Sequence, residues 1–205
     1  MKIVVVSSQY DLKDEVRKII RLFKCGLQIF HLRKPELNIN DFEDIIRNIP
    51  EKFHNRIVIH SHYQLLDKYK IKGVHLSEKK RKEFISGKST DIKQNIKIIS
   101  TSFHNPEDLL DYKEDFEYVF LSPLFDSISK PGYHSTFNLD YVSSIIKRSR
   151  FKVIALGGIN SSNAFQAKNM GFYGVAVSGA IWQTRNYLKE FSKIEYDYKD
   201  VHRNL

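Results

Sequence analysis

A single cysteine, Cys25, stands in the 205 residues, so no internal disulfide can staple this chain, and a lone thiol suits a reducing compartment. Tryptophan also occurs once, proline five times and glycine nine times. Gly/Ser linkers, proline-rich tracts and low-complexity segments are absent, which argues against a second domain. No apolar run approaches the roughly 20 residues of a membrane-spanning helix. The apolar part of "MKIVVVSSQY" is too short for a secretory signal and reads as a first strand. The expectation is a cytoplasmic protein without a membrane partner. Acidic residues are outnumbered, 24 against 33 Lys and Arg, for a formal charge of +9. That excess is spread along helical stretches such as 13–24, and the one compact basic run, "EKKRK" at 78–82, has no interleaved aromatic residues. It reads as a solvated face, and no nucleic-acid partner is expected.

What is present is a rhythm. Short apolar runs recur at 3–6, 27–32, 56–60, 72–76, 96–100, 117–121, 152–156 and 174–177. Helical periodicity lies between them, with Val16, Ile19, Ile20 and Phe23 in 13–24, Phe42, Ile45 and Ile46 in 41–49, Leu139, Val142 and Ile146 in 138–148, and a further pattern over 161–170. Alternating strand and helix units of this number predict α/β architecture, a single (β/α)8 TIM barrel over 1–205 with 193–205 as a C-terminal tail. The rival, an open doubly wound sheet, needs fewer strands, and no G-x-G-x-x-G follows the first strand.

Five of the nine glycines lie between Gly157 and Gly179. "VIALGGIN" at 153–160 and "GVAVSGAIW" at 174–182 each run from a strand through a glycine turn into a helix start. Backbone N–H groups at helix N-termini bind anions, and barrels place a phosphate site after strands seven and eight. Gly157, Gly158, Ser178 and Gly179 are therefore the candidate phosphate grip. The other strand ends carry polar chemistry: His31 and Arg33 in "FHLRKP", His60 and His62 in "HSH", Ser102 and His104 in "STSFH", and Ser127, Ser129 and Lys130 in the loop "SPLFDSISKPGY". Arg33 is suited to clamping an anion in bidentate fashion. His60 and His62 also spell the H-x-H half of a divalent-metal hydrolase, but that chemistry wants a carboxylate at the last strand end, where Val177 and Ser178 stand.

Taken in order, these motifs resemble the thiamine phosphate synthase / TenI family along essentially the whole chain. The family's Q-L-R-x-K appears as His31 to Pro35, "GVHLG" as Gly73 to Ser77, and S-x-H as Ser102 to His104. The "GPIFPTxSK" loop appears as Ser122 to Lys130, "GGI" as Gly157 to Ile159, and the strand-eight "VS" stretch as Val177 to Ala180. The resemblance implies a phosphorylated thiazole held on Gly158, Ser178 and Gly179, with Ser127 and Ser129 alongside, and Arg33, Ser102 and Lys130 facing the second half of the site. His31 and His60 take positions of the synthases' Gln and Asn and are expected to contact ligand. The synthases' Mg²⁺-binding carboxylates are replaced by Ser61 and Lys80. Magnesium needs hard oxygen ligands, so no cofactor is expected, Mg²⁺ returning only if the chain is a synthase.

On that departure the reading favours a TenI-like thiazole tautomerase, an isomerase that aromatises its substrate by moving a proton. His104 is its expected acid/base, because imidazole titrates near neutral pH; the alternative role for His104 is to cap a helix beginning near Asn105. A synthase coupling a pyrimidine pyrophosphate to the thiazole phosphate, a non-catalytic ligand-binding regulator and a metal-dependent barrel hydrolase remain as alternatives. Oligomeric state is not legible, and a homo-oligomer stays open.

Overall fold

The computed structural model describes residues 2–8, 10, 12–88, 97–126 and 135–199. Ser127, Ser129 and Lys130 lie outside the described residues, as does the end of the expected tail. The first half runs β1 (Lys2–Val6), α1 (Glu15–Lys24), β2 (Ile29–Leu32), α2 (Ile39–Arg47), β3 (Ile57–Ile59), β4 (Gly73–Leu76) and α3 (Glu78–Ile85). The second half adds β5 (Ile98–Phe103), α4 (Asp108–Asp111), β6 (Tyr118–Leu121), α5 (Leu139–Arg148), β7 (Val153–Leu156), α6 (Ala164–Asn169), β8 (Gly174–Val177), α7 (Gly179–Trp182) and α8 (Tyr187–Lys199). The strands pair in sequence order, and β8 closes back onto β1 in parallel register, Lys2 opposite Gly174 and Val5 opposite Val177. This is the (β/α)8 barrel.

The expected alternation fails at one place. Between β3 and β4 the chain makes only a 3-10 turn, Tyr63–Asp67, entered through a left-handed His62 (φ 54°). The intervening segment is too short in apolar period for an amphipathic helix, and buried Tyr63 and Leu65, with Leu66, Tyr69 and Ile71 partly buried, seat it on the core. Two helix starts are fixed by side-chain caps: at α2 Asn38 accepts from the N–H groups of Asn40 and Asp41, and at α5 Asn138 accepts from that of Tyr141. Residues 193–199 continue α8, with Ile194 fully buried.

Strand alternation divides the core in two. Val5, Ala155, Val175 and Val177 face outward and pack with Ile19, Leu22, Val142 and Ile145 of the helices. Val4, Val6, Ile154 and Ala176 fill the barrel interior. The interior is unequal around its circumference. β7, β8 and β1 contribute aliphatic side chains, whereas β2 to β6 contribute His31, His60, His75, Ser100, Ser102 and Tyr118 at the corresponding alternate positions. Trp182 of α7 ties the far end of the chain to the first strand, its indole N–H donating to the Val6 carbonyl at 2.6 Å.

Candidate active site at the barrel mouth

A cavity of about 330 Å³ opens at the C-terminal ends of the strands. Arg33, His60, Ser102 and His104 line one side of it; Gly157, Gly158, Ser178 and Gly179 line the other. His31 does not reach the cavity. It is fully buried on β2, both ring nitrogens engaged, so the expected direct ligand contact is not made.

The glycine side is built by two local demands. Gly157 and Gly158 have φ of 98° and 65°, a conformation that side chains disfavour. The loop after β6 also packs directly on them, with Leu124 N–H donating to the Leu156 carbonyl at 2.8 Å and Phe125 N–H to that of Gly157 at 3.2 Å. A Cβ on Gly157 would come within 2.8 Å of Pro123, and one on Gly158 within 2.8 Å of Phe125 while overlapping the Asp126 carbonyl. The double glycine therefore serves loop packing as well as an open mouth. On β8, Ser178 donates its hydroxyl to the Ser7 carbonyl at 3.2 Å. The intrahelical bonds of α7 begin with Ile181 N–H to the Ser178 carbonyl, which leaves the Gly179 and Ala180 amides at the cavity end unused by the helix.

The opposite side is cationic. The Ser7 hydroxyl clamps the backbone of Arg33, donating to its carbonyl at 2.9 Å and accepting from its N–H at 2.8 Å. The Arg33 side chain is exposed and has no hydrogen-bond or ion-pair partner among the described residues. Its neighbour Lys34 behaves oppositely, buried against Glu15 at 2.6 Å and donating to the Tyr10 carbonyl. His104 hydrogen-bonds the Ser122 carbonyl through Nδ1 at 2.8 Å. A carbonyl only accepts, so Nδ1 carries the proton and Nε2 of the neutral ring keeps its lone pair. α4 starts at Asp108 without a side-chain cap, so His104 is no helix cap.

Three imidazoles gather at the floor, His60 and His75 lining the cavity and His31 buried beneath it. His31 Nδ1 meets His60 Nε2 at 2.9 Å, and His31 Nε2 meets the Tyr118 hydroxyl at 2.6 Å. His75 is bound to Ser100 through Nδ1 at 2.8 Å and to Ser102 through Nε2 at 2.9 Å. Burial depresses the pKa of each ring; for His75 Arg33 and Arg81 add to it, holding the ring down at about 3. All three are neutral at pH 7. The unfolded chain protonates these histidines near pH 6.5, whereas the folded one resists, so stability is complete above about pH 6.5 and falls as the solution is acidified towards His75's folded value. His31 and His75, both buried, should each contribute a slope of up to roughly 1.4 kcal/mol per pH unit in that window. Denaturant titrations between pH 7 and 4.5 should show His75→Gln with a shallower slope than wild type; equal slopes would contradict the neutral assignment.

The histidines invite a metal, since their nitrogens lie within 4.8 Å of one another. The ring geometry opposes it. His60 and His75 stack with centroids 4.2 Å apart and planes 21° from parallel, whereas a bound ion must sit close to the plane of each imidazole it ligates. The H-x-H pair of a hydrolase is not assembled either, because His62 turns away to the Leu37 carbonyl at 2.9 Å. Magnesium fits no better at the synthases' carboxylate positions. Ser61 offers a neutral, buried hydroxyl without a partner, and Lys80 a cation paired with Glu83. Among the described residues the one carboxylate lining the mouth, Glu78, is held by Lys82.

Sequence reasoning passed over His75, Ser100 and Tyr118 as site residues, although their alternate positions on inward strand faces were readable. It also took "EKKRK" for a solvated face. Arg81 within it is buried, its guanidinium between Phe103 and Tyr112 at 4.0 and 4.4 Å and donating to Thr101 Oγ1 at 3.0 Å. Aromatic faces and strand-end oxygens replace water around that charge.

Comparison with known proteins agrees with this geometry. The profile of the TMP-TENI family, described as Thiamine monophosphate synthase, matches residues 3–181. Thiamine-phosphate synthase from Psychrobacter is 30% identical over 178 residues, covering 82% of this chain and 81% of that protein. The Dictyoglomus turgidum protein of the same name is 24% identical over 190 residues, 88% and 80% of the two chains. Among solved structures, thiamine phosphate pyrophosphorylase from Bacteroides thetaiotaomicron superposes with a TM-score of 0.75 at 31% identity, covering 96% of this chain and 97% of that one. These relatives are named as synthases and none of them as a tautomerase, so they favour the transferase alternative over the isomerase expected from the missing carboxylates. With its barrel, its glycine turns and these matches, the chain belongs to the thiamine monophosphate synthase family.

Proposed function

We propose that this protein is a thiamine phosphate synthase-type transferase, joining a phosphorylated thiazole to a pyrimidine carried as its pyrophosphate. The observation that carries the reading is a single cavity lined by Gly158 and Gly179 on one wall and, on the other, by Arg33, whose exposed guanidinium has no partner among the described residues. The thiazole phosphate is assigned to the glycine wall, as barrels hold phosphates after their last strands. The thiazole nitrogen lone pair forms the new C–N bond at the pyrimidine methylene carbon, the C–O bond to pyrophosphate breaks, and its electron pair leaves with the pyrophosphate. Negative charge grows on that leaving group, and Arg33 is placed to stabilise it. No step is routed through Mg²⁺, for which the residues at the family positions do not fit.

A second reading, thiazole aromatisation by proton transfer, is favoured by one observation: His104 presents an Nε2 lone pair while its Nδ1 is fixed by the Ser122 carbonyl. The two readings separate on one assay. Purified protein is offered both substrate sets, with and without Mg²⁺, as wild type and as His104→Ala. The transferase reading expects thiamine phosphate from wild type and a turnover within about tenfold in the variant, since bond formation moves no proton. Aromatisation without thiamine phosphate, reduced roughly 10²-fold or more by His104→Ala, would replace it with the isomerase.

A further inference from the structure

Two hydrogen-bonded triads, Ser102–His75–Ser100 and Tyr118–His31–His60, run down from the cavity and meet where Ser100 and Tyr118 face each other across β5 and β6. From one end the order is Ser102, His75, Ser100, Tyr118, His31, His60. Ser102 Oγ meets His75 Nε2 at 2.9 Å and His75 Nδ1 meets Ser100 Oγ at 2.8 Å. Ser100 and Tyr118 are register partners on β5 and β6, which sets the Ser100 hydroxyl close enough to that of Tyr118 to affect its ionisation. The Tyr118 hydroxyl meets His31 Nε2 at 2.6 Å, and His31 Nδ1 meets His60 Nε2 at 2.9 Å. Ser102 and His60 both line the cavity, whereas His31, Ser100 and Tyr118 are buried.

None of the six side chains is a group that can only donate or only accept, as Lys or ionised Asp would be. Each hydroxyl and each neutral imidazole has one proton to give and one lone pair to receive it. In one polarity Ser102 donates to His75, His75 to Ser100, Ser100 to Tyr118, Tyr118 to His31 and His31 to His60, and His60 Nδ1–H is left for the cavity. In the other polarity every bond is reversed and the Ser102 hydroxyl is left for the cavity. Both satisfy every internal atom, and no atom of the six is among the buried groups without a partner.

We infer that these six residues form a reversible proton relay connecting two points of the cavity. A proton accepted by Ser102 Oγ is matched by Ser102 passing its own to His75, and so on along the chain until His60 Nδ1 releases one to the cavity. One proton enters, one leaves, and the polarity is reversed; a passage in the opposite sense restores it. Arg33 and Arg81 lie close enough to His75 to disfavour a charged ring, so the excess proton moves through without lodging there. Tyr118, Ser100 and His31 touch no ligand and act through the two ends. The inference holds for either reaction at the cavity, because it concerns the wiring beneath it.

The relay makes a demand on the free protein that no structural role shares. One polarity puts the proton on Nδ1 of all three histidines, and the other puts it on Nε2 of all three. Ring ¹⁵N shifts of histidine-labelled protein at pH 7 should therefore give equal Nε2–H fractions for His31, His60 and His75; unequal fractions overturn the relay. Ser102→Asp supplies an acceptor at one end and should move all three rings to Nε2–H. In the Ser102→Asp/Tyr118→Phe double variant the change should stop at His75, and Ser100→Ala provides a second break should Tyr118→Phe not fold. A shift at His31 and His60 that survives the break would mark a field effect of the new carboxylate and reject the relay.

Discussion

Exchanging Arg33 for methionine should lower kcat of the transferase by roughly 10²–10³-fold, the scale of removing one donor from a developing anion, with a smaller rise in KM. The side chain is free to act on a ligand because nothing among the described residues engages it, while its backbone is clamped by Ser7. Methionine keeps the length and removes the charge. Lysine at the same position should recover only part of the rate, since an ammonium cannot bridge two pyrophosphate oxygens as a planar guanidinium does. Steady-state kinetics on the three forms provide the check, and a methionine variant within threefold of wild type would remove Arg33 from the reaction.

Gly179→Asp should weaken binding of the thiazole phosphate at least roughly 10²-fold, since like charges brought together cost several kcal/mol, and should leave the barrel folded. Calorimetry with that ligand gives the affinity and thermal melting gives the fold. Gly158 is the poorer place for this test. A side chain there would strike Phe125 and the Asp126 carbonyl, so lost binding could not be separated from a displaced loop. Undiminished affinity in Gly179→Asp would mean that the phosphate sits elsewhere.

The strands were readable because each is buried on both faces, or nearly so, and stands out as an apolar run between polar stretches. The boundaries drifted where a run continued past the ladder, as at Leu27 and Gln28 ahead of β2, and where the ladder outran the run, as at Thr101 to Phe103 of β5. The mouth residues followed from the barrel rule, which assigns function to strand ends whatever the sequence. Two pieces of reasoning failed on geometry. His60 and His62 were paired as an H-x-H metal half, which requires strand alternation to continue past Ile59, but β3 ends there and the left-handed turn at His62 swings its ring to Leu37. His31 was assigned to the ligand because it takes the position of the synthases' Gln, yet alternation put it one layer below the mouth, where its partners are Tyr118 and His60. Those partners come from β6 and β3, and only closure of the barrel brings them together. Arg81 shows the same limit, since no local pattern reveals that Phe103 and Tyr112 will enclose it.

Trp182 is the only tryptophan of the chain, and it occupies the same short helix that Gly179 begins. Its indole is pinned to the Val6 carbonyl and largely shielded from solvent. The molecule thus carries one indole fluorophore, which can be excited apart from the eleven tyrosines, fixed a single turn from the glycine wall with no second indole to dilute its emission. Ligand occupancy at the mouth and detachment of the last barrel strand become optically readable from the same group, without a label.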